Sequence, residues 1–328
     1  MAAVVVLLDH RDPRWRTSAA VLLAGAHRTG EEQGWPVHTV WVGPDPGAAV
    51  AGWVAGSGPA VQHVVEVEGA DPSLPASLSA ALEAVAVDVA AGLVLVPSTF
   101  EGREVAARLA ALTGSGVVVG ATSVAVEDGR VVAGKTVLAG AWRTRCAVTS
   151  ALAVVALDVH AAAAPAAPRA PGPHEPDVRH RTVQVPATVE VVSREARPVS
   201  DRPSLAEAEV VVVGGRGTDG DFSGVEDLAD ALGGAVGATR VATDEGWAPR
   251  ALQVGQTGVT ISPRLYVGAG VSGAVHHRGG MDASAVVVAV NTDPDAPIFE
   301  FADVSVVADV TALLPALAAE VRRRRAGR

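Results

Sequence analysis

Residues 210–240 read VVVVGGRGTDGDFSGVEDLADALGGAVGATR. An apolar run, Val210–Val213, meets a glycine turn, GGRGTDGD at 214–221, and then an amphipathic stretch, Ser223–Leu232, that predicts a helix; a second short strand, Ala235–Val236, ends in GATR at 237–240. Strand, glycine turn, helix and strand in that order are the repeating unit of a doubly wound parallel sheet. Backbone N–H groups and the dipole at such a helix start favour an anion, and Arg216 adds a charge-assisted contact to it. The same residues fit a tight turn with a solvated arginine. The GxGxxG spacing of dinucleotide dehydrogenases is absent.

Working downstream, glycine-spaced clusters recur: VGQTG at 254–258, GVSGAVHH at 270–277 and NTDPDAP at 291–297. They stand between predicted strands at Leu265–Val267, Val286–Val290 and Val304–Val307. Glycine lets backbone approach a ligand closely. Arg216, Arg240, Gln256, Thr257, Ser272, His277 and Asn291 supply directed donors and acceptors among them, the composition of a nucleotide-cofactor cradle. Asn291 and Asp309 each follow a predicted strand, at the edge where doubly wound sheets bind ligands, and each also suits a turn or a helix N-cap. Adjacent His276 and His277 point about 100° apart on a helix, which disfavours a shared metal ion.

QVGQTG (253–258), SGAVHH (272–277) and NTDPDAPIF (291–299) together resemble the C-terminal FAD-binding domain of the electron transfer flavoprotein alpha subunit. The resemblance is close over 204–317, looser over 97–155, and not legible before Pro97. It implies FAD as cofactor. It also implies Arg240 beside the isoalloxazine, with Thr239 in place of the family's serine, and Val254, Gly255, Gln256 and Thr257 against the flavin, the Thr257 hydroxyl near N5. Ser272, Gly273, Ala274, Val275, His276 and His277 match the flavin-contacting run, with His277 as a cation or donor near O2 and His276 where many relatives carry glutamine. Asn291 and Asp309 match adenosine-side contacts, in a run of cofactor-binding positions that ends at Val310. The resemblance further implies an electron carrier without substrate turnover of its own. Its partners are a beta subunit forming a heterodimer, a donor dehydrogenase and an acceptor oxidoreductase. The Ala-rich first region and the short GGRG turn suggest a specialised, actinobacterial-type paralogue. The alternative is a flavin- or nicotinamide-dependent oxidoreductase on the same fold. The absence of a general acid or base beside the cradle, other than His277, weighs against it.

The remaining sequence sets bounds. A chain of 328 residues accommodates two ordinary domains, and 49% apolar content falls in short Ala/Val runs, none long enough to span a bilayer. The start, MAAVVVLLDHRD, lacks a basic region ahead of its apolar run, which predicts a buried strand and a cytoplasmic protein. Cys146 is the single cysteine, so no intramolecular disulfide forms. A net charge of −10 argues against nucleic acid as a partner. RRRRAGR at 322–328 is a local basic exception that reads as a solvated helix end.

Strands at Ala2–Leu8, Val37–Val42 and Leu93–Pro97 alternate with helices at Thr17–Glu32 and Glu101–Leu112, again a parallel sheet covered by helices. AAAAPAAPRAPGPHEP at 161–176 predicts an extended linker, and Arg181–Val192 a strand that, by the family pattern, returns to the first domain's sheet. The expected class is therefore α/β with two domains, each a mainly parallel sheet flanked by helices: an N-terminal one over 1–200, which in the family contacts the beta subunit and carries no redox group, and a doubly wound FAD-binding one over 201–328. Trp15, Trp35, Trp41, Trp53 and Trp142 suit core filling in the first or an interface on it.

Overall fold

The computed structural model describes residues 2–11, 15–138, 142–159, 177–194, 202–205 and 208–327; the predicted linker at 161–176 lies outside them. The chain divides into two compact units, Met1–Thr136 with Arg143–Glu195, and Val137–Trp142 with Ala196–Arg328.

In the first unit nine strands are described: β1 (Ala3–Leu7), β2 (Val37–Val42), β3 (Val61–Glu68), β4 (Ala91–Pro97), β5 (Gly116–Glu127), β6 (Arg130–Val137), β7 (Trp142–Ala147), β8 (Ala153–Leu157) and β9 (Asp177–Gln184). They form one sheet in the order β7-β6-β5-β8-β4-β1-β2-β3-β9. The ladders from β5 to β9 are parallel, and β5 pairs antiparallel with β6. Every residue of β1, β2 and β8 is buried, as expected for strands covered on both faces. Helix α1 (Trp15–Gln33) joins Val4, Val6, Leu93 and Leu95 on one face. Helices α3 (Pro75–Asp88) and α4 (Phe100–Thr113) join Val5, Leu7, Val94 and Val96 on the other. A short helix, α2 (Ala48–Gly56), brings Val54 against Trp15 and Trp41, so these two tryptophans fill core.

β9 differs from the strand read at 181–192: it starts four residues earlier and ends at Gln184. Val185 still donates to Glu68, but Pro186 has no N–H to continue the ladder. Parallel pairing from Val61↔Asp177 to Glu68↔Gln184 covers β3 and makes β9 the sheet edge, and Arg181 fastens it to α3 through Asp88 at 2.7 Å and the Ala84 carbonyl at 2.6 Å.

The second unit holds β10 (Val210–Gly214), α5 (Ser223–Leu232), β11 (Ala235–Ala238), α6 (Arg240–Asp244), β12 (Leu265–Ala269), α7 (Val275–Arg278), β13 (Val287–Asn291), β14 (Val304–Val307) and α8 (Val310–Ala326). All four ladders of the order β11-β10-β12-β13-β14 are parallel. The chain therefore reverses its progress across the sheet between β10 and β12, the switch point at which doubly wound folds bind ligands. α5 and α8 pack Val225, Leu228 and Leu314 onto Val212 and Val267. On the opposite face, loops and single helical turns carry Val254, Ile261, Met281 and Ile298 onto Val211, Val213 and Tyr266. Among the described residues no helix is long and apolar enough to cross a membrane.

Candidate functional site

Beyond the C-terminal ends of β10, β11, β12 and β13 lies a cavity of about 500 Å³, lined in turn by Arg216, Thr239 and Gly270 from the loops after the first three and by Asn291 at the end of β13. Its floor is set by contact between two of them. Gly217 donates to the Gly270 carbonyl at 3.0 Å, and a Cβ on Gly217 would stand 2.7 Å from Gly270 Cα. Gly270 has φ +64°, and its own Cβ would fall 2.6 Å from Gly217 Cα. Glycine is required here because backbone meets backbone at the switch point.

The anion-binding helix start read after GGRG is not at the cavity. A 3-10 turn, Arg216–Thr218, intervenes, and positive φ at Asp219 and Gly220 turns the chain so that Phe222 enters the core before α5 begins. None of residues 220–232 lines the cavity. Arg216 does, exposed, and among the described residues its guanidinium has no hydrogen-bond or ion-pair partner. Arg240 also lines the cavity, but it pairs with Asp244 at 3.2 Å, and Asp244 also holds Arg250 at 3.2 Å. Thr239 caps α6, its hydroxyl accepting from Ala242 N–H at 3.5 Å.

Opposite stands the loop 254–258. Its base is closed by Val259 N–H donating to the Gln253 carbonyl at 2.7 Å, and Gln256 N–H donates to the His276 carbonyl at 2.8 Å, fastening the loop to α7. Val254, Gly255 and Thr257 line the cavity, as do Ser272, Gly273, Ala274, His276 and His277. Gly279 and Gly280 follow α7, which is a single turn instead of a full helix.

His277 lines the cavity and is tied on both ring nitrogens. Its Nδ1 is 3.1 Å from the Val254 carbonyl oxygen, which only accepts, so Nδ1 carries the proton and donates. Nε2, 2.8 Å from the Tyr266 hydroxyl, then accepts from that O–H. Burial pulls the imidazole pKa down to about 4 against a smaller upward pull from the Val254 carbonyl. His277 is thus a neutral ring with both nitrogens engaged. Tyr266 is fully buried, and burial pushes its phenol up.

Asn291 lines the cavity while donating to the Val271 carbonyl at 3.0 Å and accepting from Asp293 N–H at 3.0 Å. Twelve of the sixteen positions read from the sequence thus meet around one space, and Gln256, Val275, Asp309 and Val310 lie outside it. Val275 is 78% exposed. Asp309 caps α8, accepting from Thr311 N–H and hydroxyl, both at 2.8 Å, and Val310 is core packed with Leu314. Three polar lining residues went unread as contacts: Gln253, 3% exposed, which only its place at the head of QVGQTG signalled; Asp293, signalled only by its place in NTDPDAP; and Asp219, with no signal in the sequence.

A 2-1-3-4-5 parallel sheet with a cavity beyond its strand ends, at the switch point, defines a doubly wound nucleotide-cofactor domain, here accompanied by a second α/β unit. The family model described as the electron transfer flavoprotein FAD-binding domain matches residues 204–282, and that of the electron transfer flavoprotein domain matches 4–179. The electron transfer flavoprotein alpha subunits of Mycobacterium leprae and Mycobacterium tuberculosis are each 38% identical over 331 residues, covering 99% of this chain and all of theirs. The mitochondrial alpha subunit of Dictyostelium discoideum is 50% identical over 126 residues, 38% of this chain and 36% of that protein. The chain belongs to the electron transfer flavoprotein alpha-subunit family; its function is electron transfer and its cofactor FAD.

Proposed function

We propose that the chain forms a heterodimer with an electron transfer flavoprotein beta subunit, takes electrons from a flavin dehydrogenase and passes them to an acceptor oxidoreductase, with no substrate turnover of its own. FAD, when bound, supplies the electron storage; the residues around the cavity hold it and shield it. The observation that carries the FAD placement is the meeting of twelve sequence-read positions around one cavity at the switch point. The donor set fits the group. Arg216, without a protein partner among the described residues, suits a pyrophosphate. Thr257 and Ser272 offer hydroxyls, Arg240 a cation that Asp244 partly offsets, and Val254 and Val271 apolar walls. His277 acts on this reading through the loop it braces. The contacts of Gln256, Val275, Asp309 and Val310 rest on the resemblance alone. The N-terminal unit, in this proposal, contacts the beta subunit.

Arg216→Ala tests the placement. Loss of a charged hydrogen bond weakens FAD binding by about 1.5–3 kcal/mol, roughly 10- to 150-fold. FAD retained through dialysis as in the unaltered protein would place the pyrophosphate elsewhere. Co-expression with the beta subunit should yield a 1:1 complex with FAD, and a fully active chain without it would refute the heterodimer.

A further inference from the structure

Gln253 lines the cavity and joins the two segments around it that carry Arg240 and Thr257. It is 3% exposed and lies where a parallel bridge to Ala238 begins the loop 254–258. Its Oε1 is 3.1 Å from the Thr243 hydroxyl on α6, the helix that carries Arg240, a hydroxyl whose one proton is shared with the Arg240 carbonyl at 2.9 Å, and its Nε2 donates to the Thr257 hydroxyl at 3.0 Å. A threonine hydroxyl has one proton and two lone pairs. With a lone pair engaged by the Gln253 amide, the proton of Thr257 is left free for the cavity side. The reverse amide orientation would offer Thr257 an oxygen, and the hydroxyl would turn its proton inward.

We propose that Gln253 is a positioning residue: it donates to Thr257 Oγ1 and so keeps the Thr257 O–H a donor toward whatever occupies the cavity. The Gln253 side chain is itself buried and is held at both ends of its amide, which limits the orientations it can take. This rests on the reading that FAD lies in the cavity with Thr257 against its ring. Under that reading Gln253 biases the flavin's redox states through Thr257, since a fixed donor favours one charge distribution over the other.

Three full-chain variants loaded with FAD test it. Gln253→Glu replaces the donor with a carboxylate that accepts from Thr257. Gln253→Met fills the volume with no donor. Thr257→Val removes the hydroxyl. Gln253→Glu and Thr257→Val should shift the first-electron potential in the same direction, by a change of about tenfold in the relative affinity for oxidised and reduced flavin, about 59 mV. Gln253→Met should shift it less, and not at all in the Thr257→Val background. Equal weakening of FAD binding in both redox states with unchanged potential would reduce Gln253 to a loop rivet and overturn the proposal. The side-chain amide resonance of Gln253 in the FAD-free protein separates the two layers. If Thr257→Val shifts that resonance and speeds its exchange while no variant moves the potential, the flavin placement fails and the hydrogen bond stands. If the resonance is unchanged, the positioning claim itself fails.

Discussion

Replacing Tyr266 with phenylalanine removes one oxygen from the core of the second unit and leaves its ring among Val211, Val213, Ile261 and Ile298. Apolar packing is therefore nearly constant, and the change isolates one bond, the Tyr266 hydroxyl to His277 Nε2 at 2.8 Å. The loss leaves a buried imidazole lone pair with no donor, and such a group costs about 1–3 kcal/mol. For a domain of this size about 4 °C in Tm accompanies each kcal/mol, so the second unit should melt about 4–12 °C lower. The sign should reverse in a His277→Leu background. There the Tyr266 hydroxyl is already an orphan, and deleting it becomes neutral or stabilising. Calorimetry on the four members of this cycle gives the coupling energy directly. Because His277 also holds the Val254 carbonyl at 3.1 Å, Tyr266→Phe should loosen the loop 254–258 and speed FAD loss. An equal cost of Tyr266→Phe in both backgrounds would refute the neutral Val254–His277–Tyr266 chain.

Arg240→Ala should lower the first-electron potential of the FAD-loaded protein and Asp244→Asn should raise it. Since both side chains are about half exposed and screened, the shifts should be about 30–60 mV by spectroelectrochemical titration. Gly270→Ala and Gly217→Ala, each forcing a Cβ into backbone, should lower stability and FAD occupancy together, and an unchanged Tm in either would contradict the packing at the switch point. Burial, then the neighbouring His38, lowers the His63 pKa to about 4, and burial lowers His277 likewise. Folded-state values below the usual 6.5 mean that their contribution is full above about pH 6.5. It is lost as pH falls toward 4, at up to about 1.4 kcal/mol per pH unit for each ring, so denaturant midpoints should be flat above pH 6.5 and decline below it. Gln62, fully buried with neither amide atom partnered in the structure, should tolerate Gln62→Met with an equal or higher Tm; a clear fall would mean that a bound water holds the amide.

The second sheet was legible because its strands are short apolar runs, most of them Val-rich, broken by glycine or polar turns, and α5 begins and ends where its apolar spacing does. β9 was misplaced because Asp177–His180 form an exposed edge with no apolar alternation, held by its ladder to β3 and not by its pattern. The cavity residues were legible where a motif concentrated them. What the sequence left out was the choice of tertiary partner. Whether His277 meets a ligand edge or Tyr266, eleven residues away, and whether Arg240 stands alone or shares Asp244, depends on rotamers and loop closure. Asp309 carried both readings from the start, and its capping geometry with Thr311 is the one visible here.

The ladder between β3 and β9 bears on how the protein is made. Val61 pairs with Asp177, so a ribosome must carry synthesis more than a hundred residues past β3 before its neighbour exists. At roughly 5–20 residues per second, the nascent sheet waits many seconds with β3 as a bare parallel edge, its Val61, Val64 and Val65 otherwise destined for burial. An open edge of that kind invites pairing with other chains. Translation arrested before residue 184 should therefore release a product that aggregates or is held by chaperones, whereas a chain released after that strand is complete covers the Val-rich β3 with the charged, polar edge of β9.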